Sequence, residues 1–223
     1  MIFDILKDGL EYVGTNRQKI ILYYLGILIF PIVLIESYSY HIIENCLEGI
    51  INNKDELPDI KINKETFING IKLLLLKIIY YIPEIIVILI ALSIPKNNYY
   101  ILAIILTILT ILSYSLSQIA SVCMVDSGEF KEGFNFRKII NILKTTGITY
   151  IELIIATLVI ILGIIGVTII LTGIIMLLGG INSIVFTIVL ALISILYLAF
   201  LIIVIPVYVL FKNRSVVSIY NLC

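Results

Sequence analysis

Long apolar runs dominate the pattern of this chain, and short polar segments separate them. From Leu153 to Phe211 no charged residue occurs, and the run Ile101–Leu112 carries no charge either. A soluble domain needs polar residues on the face that meets water, whereas about 20 apolar residues are enough to cross a bilayer. The runs lack the apolar–polar alternation of membrane β-strands, so the pattern predicts membrane helices.

Five apolar segments follow from this pattern. They lie at about 20–50, 71–94, 99–124, 150–178 and 184–210. The last two belong to the single charge-free run, which at about 1.5 Å per residue is far longer than a bilayer core is thick. Turn-forming residues occur near its middle, so we predict that the chain folds back at Gly179–Ser183. The predicted fold class is all-α, a polytopic helical membrane bundle that forms one integral membrane domain over residues 1–223.

The remaining segments predict surface helices and loops. Apolar side chains recur at helical spacing among charged ones in residues 2–17, which is typical of an amphipathic helix on a membrane surface. Segments 52–69 and 126–146 are polar and are predicted as loops, the second with a short surface helix at Phe136–Leu143. Residues 212–223 are predicted to form a short basic tail.

Two structures of the first apolar segment remain open. Pro31 removes a backbone hydrogen bond and disfavours helix at the residue before it. Either Ile20–Tyr40 is a single span, or Ile20–Ile50 is a short hairpin that turns near Pro31. The residues beyond the proline include several that suit the middle of a bilayer poorly, namely Glu36, His41, Glu44 and Glu48.

The distribution of lysine and arginine favours the hairpin. Cationic residues concentrate on the cytoplasmic side of membrane proteins. With a single first span, Lys7, Arg17 and Lys19 lie on the opposite side from most other cations, whereas with a hairpin only Lys96 does. Both structures place loops 52–69 and 126–146 and the carboxyl terminus in the cytoplasm. We therefore expect a multi-pass protein of the cell membrane, with its amino terminus also cytoplasmic.

Composition agrees with a membrane protein and excludes some kinds of chemistry. The chain is 61% hydrophobic and 13% charged, against about 25% charged in ordinary soluble domains. Its formal net charge is zero, so nothing favours nucleic-acid binding. The cysteines are far apart, His41 is the single histidine, and no catalytic motif occurs. We expect no metal, no cofactor and no enzymatic activity.

Glu84 is the strongest candidate for a functional residue. It lies near the centre of segment 71–94, where a charged side chain costs about 2.5–3.5 kcal/mol on insertion scales. Lys77 lies two turns earlier on the same helix face, Tyr81 lies between them, and Gln118 of the next segment is a potential hydrogen-bonding partner. Such a set fits either a proton or cation site, or a polar clasp that holds two helices together around a neutral glutamic acid.

The order of several motifs points to a family. These motifs are Asp55–Pro58, Phe67–Lys72, Tyr81 with Pro83, Ser127–Phe130, Gly133–Phe136, and finally Arg214 and Tyr220. The arrangement resembles an uncharacterised, mainly archaeal family of membrane proteins known as domain of unknown function 4013, over nearly the whole chain. The resemblance implies a helical protein of one domain with several spans, and it implies no activity. Lys77 and Glu84 depart from the family, since apolar residues are expected there.

Two functional hypotheses remain. The first is a non-enzymatic membrane scaffold, sensor or accessory protein whose partners are the lipid bilayer and, through its cytoplasmic loops, another protein or a second copy of the chain. The second is a small transporter or channel that uses the buried carboxylate of Glu84. The surroundings of Glu84 discriminate between them, because a wet cavity favours transport and a dry, fully packed environment favours the first hypothesis.

Overall fold

The structure is a computed structural model, and it describes residues 1–15, 31–49, 56–59, 63–92, 99–178 and 183–223. Every regular element in these ranges is helical, which confirms the all-α fold. The helices are α1 (Ile2–Thr15), α2 (Pro31–Leu47), α3 (Lys64–Tyr80), α4 (Ile82–Ala91), α5 (Tyr99–Ser127), a 3-10 helix (Phe130–Phe134), α6 (Phe136–Leu178) and α7 (Ser183–Tyr220). The choice between one span and a hairpin in the first apolar segment, and the turn at 179–182, fall outside the described residues.

Several helices have the length and composition of membrane spans. Tyr100–Ser127, Phe136–Ile175 and Phe186–Tyr220 meet both requirements. α3 and α4 add a fourth span if they are counted together, since they meet at a bend of 47°. The described residues thus support three or four crossings of a membrane, where the sequence predicts five apolar segments.

The predicted loop at 126–146 is largely helical. Residues from Phe136 onward are the first turns of α6, which continues without a break for 43 residues to Leu178, so the prediction of a separate surface helix is wrong. The Asn135 side chain caps this helix by accepting a hydrogen bond of 3.1 Å from the backbone N–H of Lys138. No proline follows to interrupt it. At about 1.5 Å per residue α6 is roughly twice as long as a bilayer core is thick, so it projects beyond that core or tilts strongly.

Buried side chains concentrate at one end of the molecule. We call this end the base, and it comprises α1, α2, α3, the 3-10 helix, residues 113–127 of α5, residues 136–157 of α6 and residues 208–220 of α7. Its fully buried residues include Ile42, Leu73, Ala120 and Ile139, each 0% exposed. Tyrosine hydroxyls join its helices, because the Tyr150 hydroxyl donates to the Ser115 carbonyl at 2.5 Å.

The predicted basic tail is part of this base. α7 continues as a helix to Tyr220, and Phe211–Ile219 are all buried. The tail prediction is wrong because it treats charge as a sign of exposure. Both Lys212 and Arg214 lie inside the base, only 6% and 2% exposed.

Outside the base the helices present apolar side chains on their surfaces. Ile104, Ile169 and Leu196 are each more than 60% exposed. The most apolar windows of the three spanning helices are 17%, 11% and 0% buried within the protein. These faces are suited to acyl chains, so the bundle packs tightly only at the base.

α1 confirms the predicted helix as far as Thr15, but part of it is buried against protein. Ile5, Asp8, Gly9 and Tyr12 are buried, and α1 packs along the last turns of α7. Gly9 permits this approach, because a Cβ atom there would lie 2.7 Å from the Ser215 hydroxyl oxygen. The surface of this helix that remains for a membrane is therefore narrower than its amphipathic pattern predicts.

The close contact at Gly9 makes a testable prediction. Gly9→Ala should destabilise the protein by about 1–3 kcal/mol, because the added methyl group overlaps Ser215 and Phe211. Gly14→Ala is the control on the same helix, since no atom of the described residues outside that helix's own backbone lies within 4 Å of its added Cβ, and alanine favours helix there. Melting of both variants in detergent, followed by far-UV circular dichroism, gives the comparison. Equal melting temperatures would show that α1 does not pack on α7 in this way.

Candidate functional site

A bend positions Glu84. α3 ends at Tyr80 and α4 begins at Ile82, with Pro83 in its first turn and Tyr81 between the two helices. Proline is well accommodated at the start of a helix but has no N–H to continue a preceding one. The bend of 47° at this junction directs α4 along α5 instead of continuing the line of α3. Glu84 therefore lies on α4 in the apolar part of the bundle, beyond the bend that ends α3.

The Glu84 carboxyl group is buried and has no hydrogen-bond partner among the described residues. The residue is 5% exposed, and neither of its side-chain oxygens is bonded. Its burial agrees with the packed environment expected of the first hypothesis, but no described residue supplies the bonded partner that a polar clasp requires. An unbonded buried polar group is unfavourable, so the contacts of the described residues do not account for this carboxyl group.

Tyrosine side chains adjoin Glu84 on the side of the base. Tyr81, at the junction before α4, interacts electrostatically with both Glu84 and Tyr208 of α7. The hydroxyls of Tyr114 and Tyr208 are hydrogen-bonded at 2.7 Å and so join α5 to α7 at this level. Gln118 lies one turn after Tyr114 on α5, and it is also buried. Of the four predicted site residues, Tyr81 and Glu84 are thus brought together.

Lys77 does not belong to the Glu84 site. Its ammonium group forms an ion pair with the Glu36 carboxylate of α2, and both side chains are mostly buried, at 16% and 15% exposed. Lys212 of α7 interacts electrostatically with both members of this pair. The bend after Tyr80 separates Lys77 from Glu84, so two residues that share a face of a straight helix belong to different parts of the protein. The sequence contains an indication of this ion pair, because Glu36 and Lys77 are opposite charges that each lie in an apolar segment.

A second buried ion pair joins the two ends of the chain. The Arg214 Nε donates to Asp8 Oδ2 at 2.7 Å, and the side chains are 2% and 4% exposed. The guanidinium carbon lies 5.2 Å from the ring centre of Tyr12, where it makes a cation–π contact. Burial raises the pKa of the Tyr12 phenol above its ordinary value, so the ring remains neutral. Neither member of the pair was predicted from the sequence, because each sits among other charged residues near a chain end.

Comparison with known proteins identifies the family. A family model described as "Protein of unknown function (DUF4013)" matches residues 20–174, which is more than half of the chain. The chain belongs to this family. The resemblance carried by its loop motifs is confirmed, and the matched range includes Glu36, Lys77 and Glu84 but neither Asp8 nor Arg214. No curated protein and no solved structure matches the chain.

The buried ion pair at the chain ends predicts a large effect on stability. Asp8→Asn should destabilise the protein by about 3–5 kcal/mol, because it leaves the Arg214 guanidinium buried without its carboxylate. Asp4→Asn on the same helix is the control, since that side chain is 66% exposed and the change should stay within about 0.5 kcal/mol. Thermal unfolding in detergent measures both. Similar melting temperatures for the two variants would contradict a buried, structurally important pair.

Proposed function

We propose that this member of the family is a non-enzymatic membrane scaffold, sensor or accessory protein whose base faces the cytoplasm of a cell membrane. The carrying observation is the division of the molecule into a tightly packed base, which buries polar and charged groups, and apolar helices that are largely exposed beyond it. Scaffolding requires a rigid part that presents a surface and an apolar part that holds it at the bilayer. The positive-inside rule supports the orientation, because the cationic residues concentrate in and around the base.

The surface of the base offers charged groups for a protein partner or a second copy of the chain. Glu44, Asn45 and Glu48 are exposed at the end of α2, and Lys64 and Glu65 are exposed at the start of α3. Both signs of charge occur on neighbouring helix ends. Such mixed charge favours a specific protein surface over a nucleic acid, which selects for a basic one.

A photo-crosslinking experiment tests the scaffold. A photoreactive amino acid at position 45, on the base, should give one protein adduct of defined mass in cells, and the adduct should disappear when Glu44 and Glu48 are changed to lysine. The same group at position 104, in the apolar half of α5, should give lipid adducts. Mass spectrometry of the purified adducts distinguishes the two. The absence of any protein adduct at position 45 would contradict a scaffolding role.

The second candidate is a small transporter or channel that uses Glu84. The specific observation in its favour is the unbonded carboxyl group, since ionisable residues within apolar helices often mark ion or proton pathways. The dry environment does not favour a permanently open channel. A transport cycle on this candidate requires a second conformation in which the site is accessible to water from each side in turn.

Flux measurements test this candidate. Proteoliposomes with a pH-sensitive dye inside should acidify faster than empty vesicles when a proton gradient is imposed, and Glu84→Gln should abolish the difference while preserving the melting temperature. Glu152→Gln is the control, since Glu152 is an exposed carboxylate on α6. Equal flux in wild-type, Glu84→Gln and empty vesicles would exclude proton transport.

A further inference from the structure

The Glu84 carboxyl group has the surroundings of a binding site for one small cationic species. Both of its oxygens are buried and unbonded, and no cationic side chain of the described residues has been placed against it. Lys77, the cation nearest to it along the helix, is bound to Glu36. Asp8 and Glu36 of the base each have a counter-charge within the protein, and the Glu84 carboxyl group has none among the described residues.

The donor set distinguishes a proton from a metal ion. Among the described residues no group of three aspartate, glutamate, histidine or cysteine side chains could hold a metal ion, so Glu84 belongs to no such ligand set for a divalent cation. Its electrostatic neighbour Tyr81 contributes a neutral hydroxyl group. A proton needs only the carboxyl group itself, and protonation removes the charge whose burial is so unfavourable in an apolar layer.

Tyrosines are the titratable groups next to this carboxyl group among the described residues. Tyr81, at the junction of α3 and α4, interacts electrostatically with Glu84 and with Tyr208 of α7. The Tyr208 hydroxyl is in turn hydrogen-bonded to that of Tyr114 on α5. The charged groups Glu36, Lys77 and Lys212 interact with one another in the base. On α4 itself, exposed apolar residues such as Ile88 and Leu89 follow Glu84.

We propose that Glu84 is a proton-binding site in the apolar part of the bundle, next to the Tyr81 hydroxyl group. The carboxyl group binds and releases the proton by itself, and no second side chain has to coordinate it. This inference names the ligand of the site on which the second candidate function depends, but it does not require transport, because a scaffold or sensor can also bind a proton there. Its test therefore uses a readout other than flux.

Labelling with an apolar carbodiimide provides that readout. Dicyclohexylcarbodiimide reacts with protonated carboxyl groups in apolar surroundings, and the adduct is located by peptide mass spectrometry on the full-length protein in detergent or vesicles. We expect an adduct on Glu84 in the wild-type protein that is lost as the pH is raised, and no adduct there in Glu84→Gln. Tyr81→Phe should shift the pH at which half of the labelling is lost, because it removes the hydroxyl group coupled to Glu84. A water-soluble carbodiimide should instead label exposed acids such as Glu152.

Two outcomes would overturn the proposal. Labelling of Glu84 that does not change with pH, or that is absent throughout, would show that the group exchanges no proton. Protection of Glu84 by sodium ions at constant pH, as complete as the protection by alkali, would show that the site takes a metal cation instead. If Glu84 is labelled as expected but the vesicles show no flux, the proton site stands and the transporter fails. The pH dependence of Glu84 labelling in the wild-type protein decides the test. The result therefore does not depend on whether a variant folds.

Discussion

The ion pair between Asp8 and Arg214 holds the two ends of the chain together. It joins residues 206 positions apart, and it forms where α1 lies along the last turns of α7. Removing two charges from water is unfavourable, and their attraction offsets that loss only when geometry and further contacts are good. Here the guanidinium also faces the Tyr12 ring, and Gly9 lets the helix backbone approach closely enough for the pair to form. The ion pair thus fixes the position of α1 along α7, because a shift of either helix would separate the two charges. An apolar contact between isoleucine-rich helix faces would not fix that position.

Such specific contacts matter because the hydrophobic effect does not drive helices together inside a bilayer. Acyl chains solvate leucine and isoleucine as well as neighbouring helices do, so association there depends on close packing and polar contacts. The distribution of contacts in this protein follows that rule. The base contains two ion pairs and tyrosine hydroxyl bonds that join α3 to the 3-10 helix and α5 to α6 and α7, whereas the apolar helices beyond it expose much of their surface. An apolar core that contains specific polar contacts is the outcome.

Glu84 differs from Asp8 and Glu36 in having no counter-charge among the described residues. Asp8 and Glu36 are each neutralised by a cation from another helix, so their positions are explained by structure alone. Glu84 contributes no bond to any described residue, yet it lies where a charge is unfavourable. The two ion pairs therefore have a structural role in the base, and the proton site proposed for Glu84 is separate from them.

Hydropathy by itself determined that the chain is helical, that several of its helices are long and apolar enough to span a membrane, and that Glu84 is a candidate site, because each of these depends on local composition. Only the tertiary structure decided which charges pair. The sequence placed Lys77 beside Glu84, since both share a face of an ideal helix, but the bend at Tyr81 gives Lys77 to Glu36 instead. It also predicted a basic tail and a surface helix at the two ends, yet those segments contain the buried pair Asp8–Arg214. The physical reason is that apolar side chains both fill the base and cover the exposed faces of the long helices, so hydropathy does not distinguish interior from surface here. The partners of the buried polar residues also lie too far along the chain for any local pattern to identify.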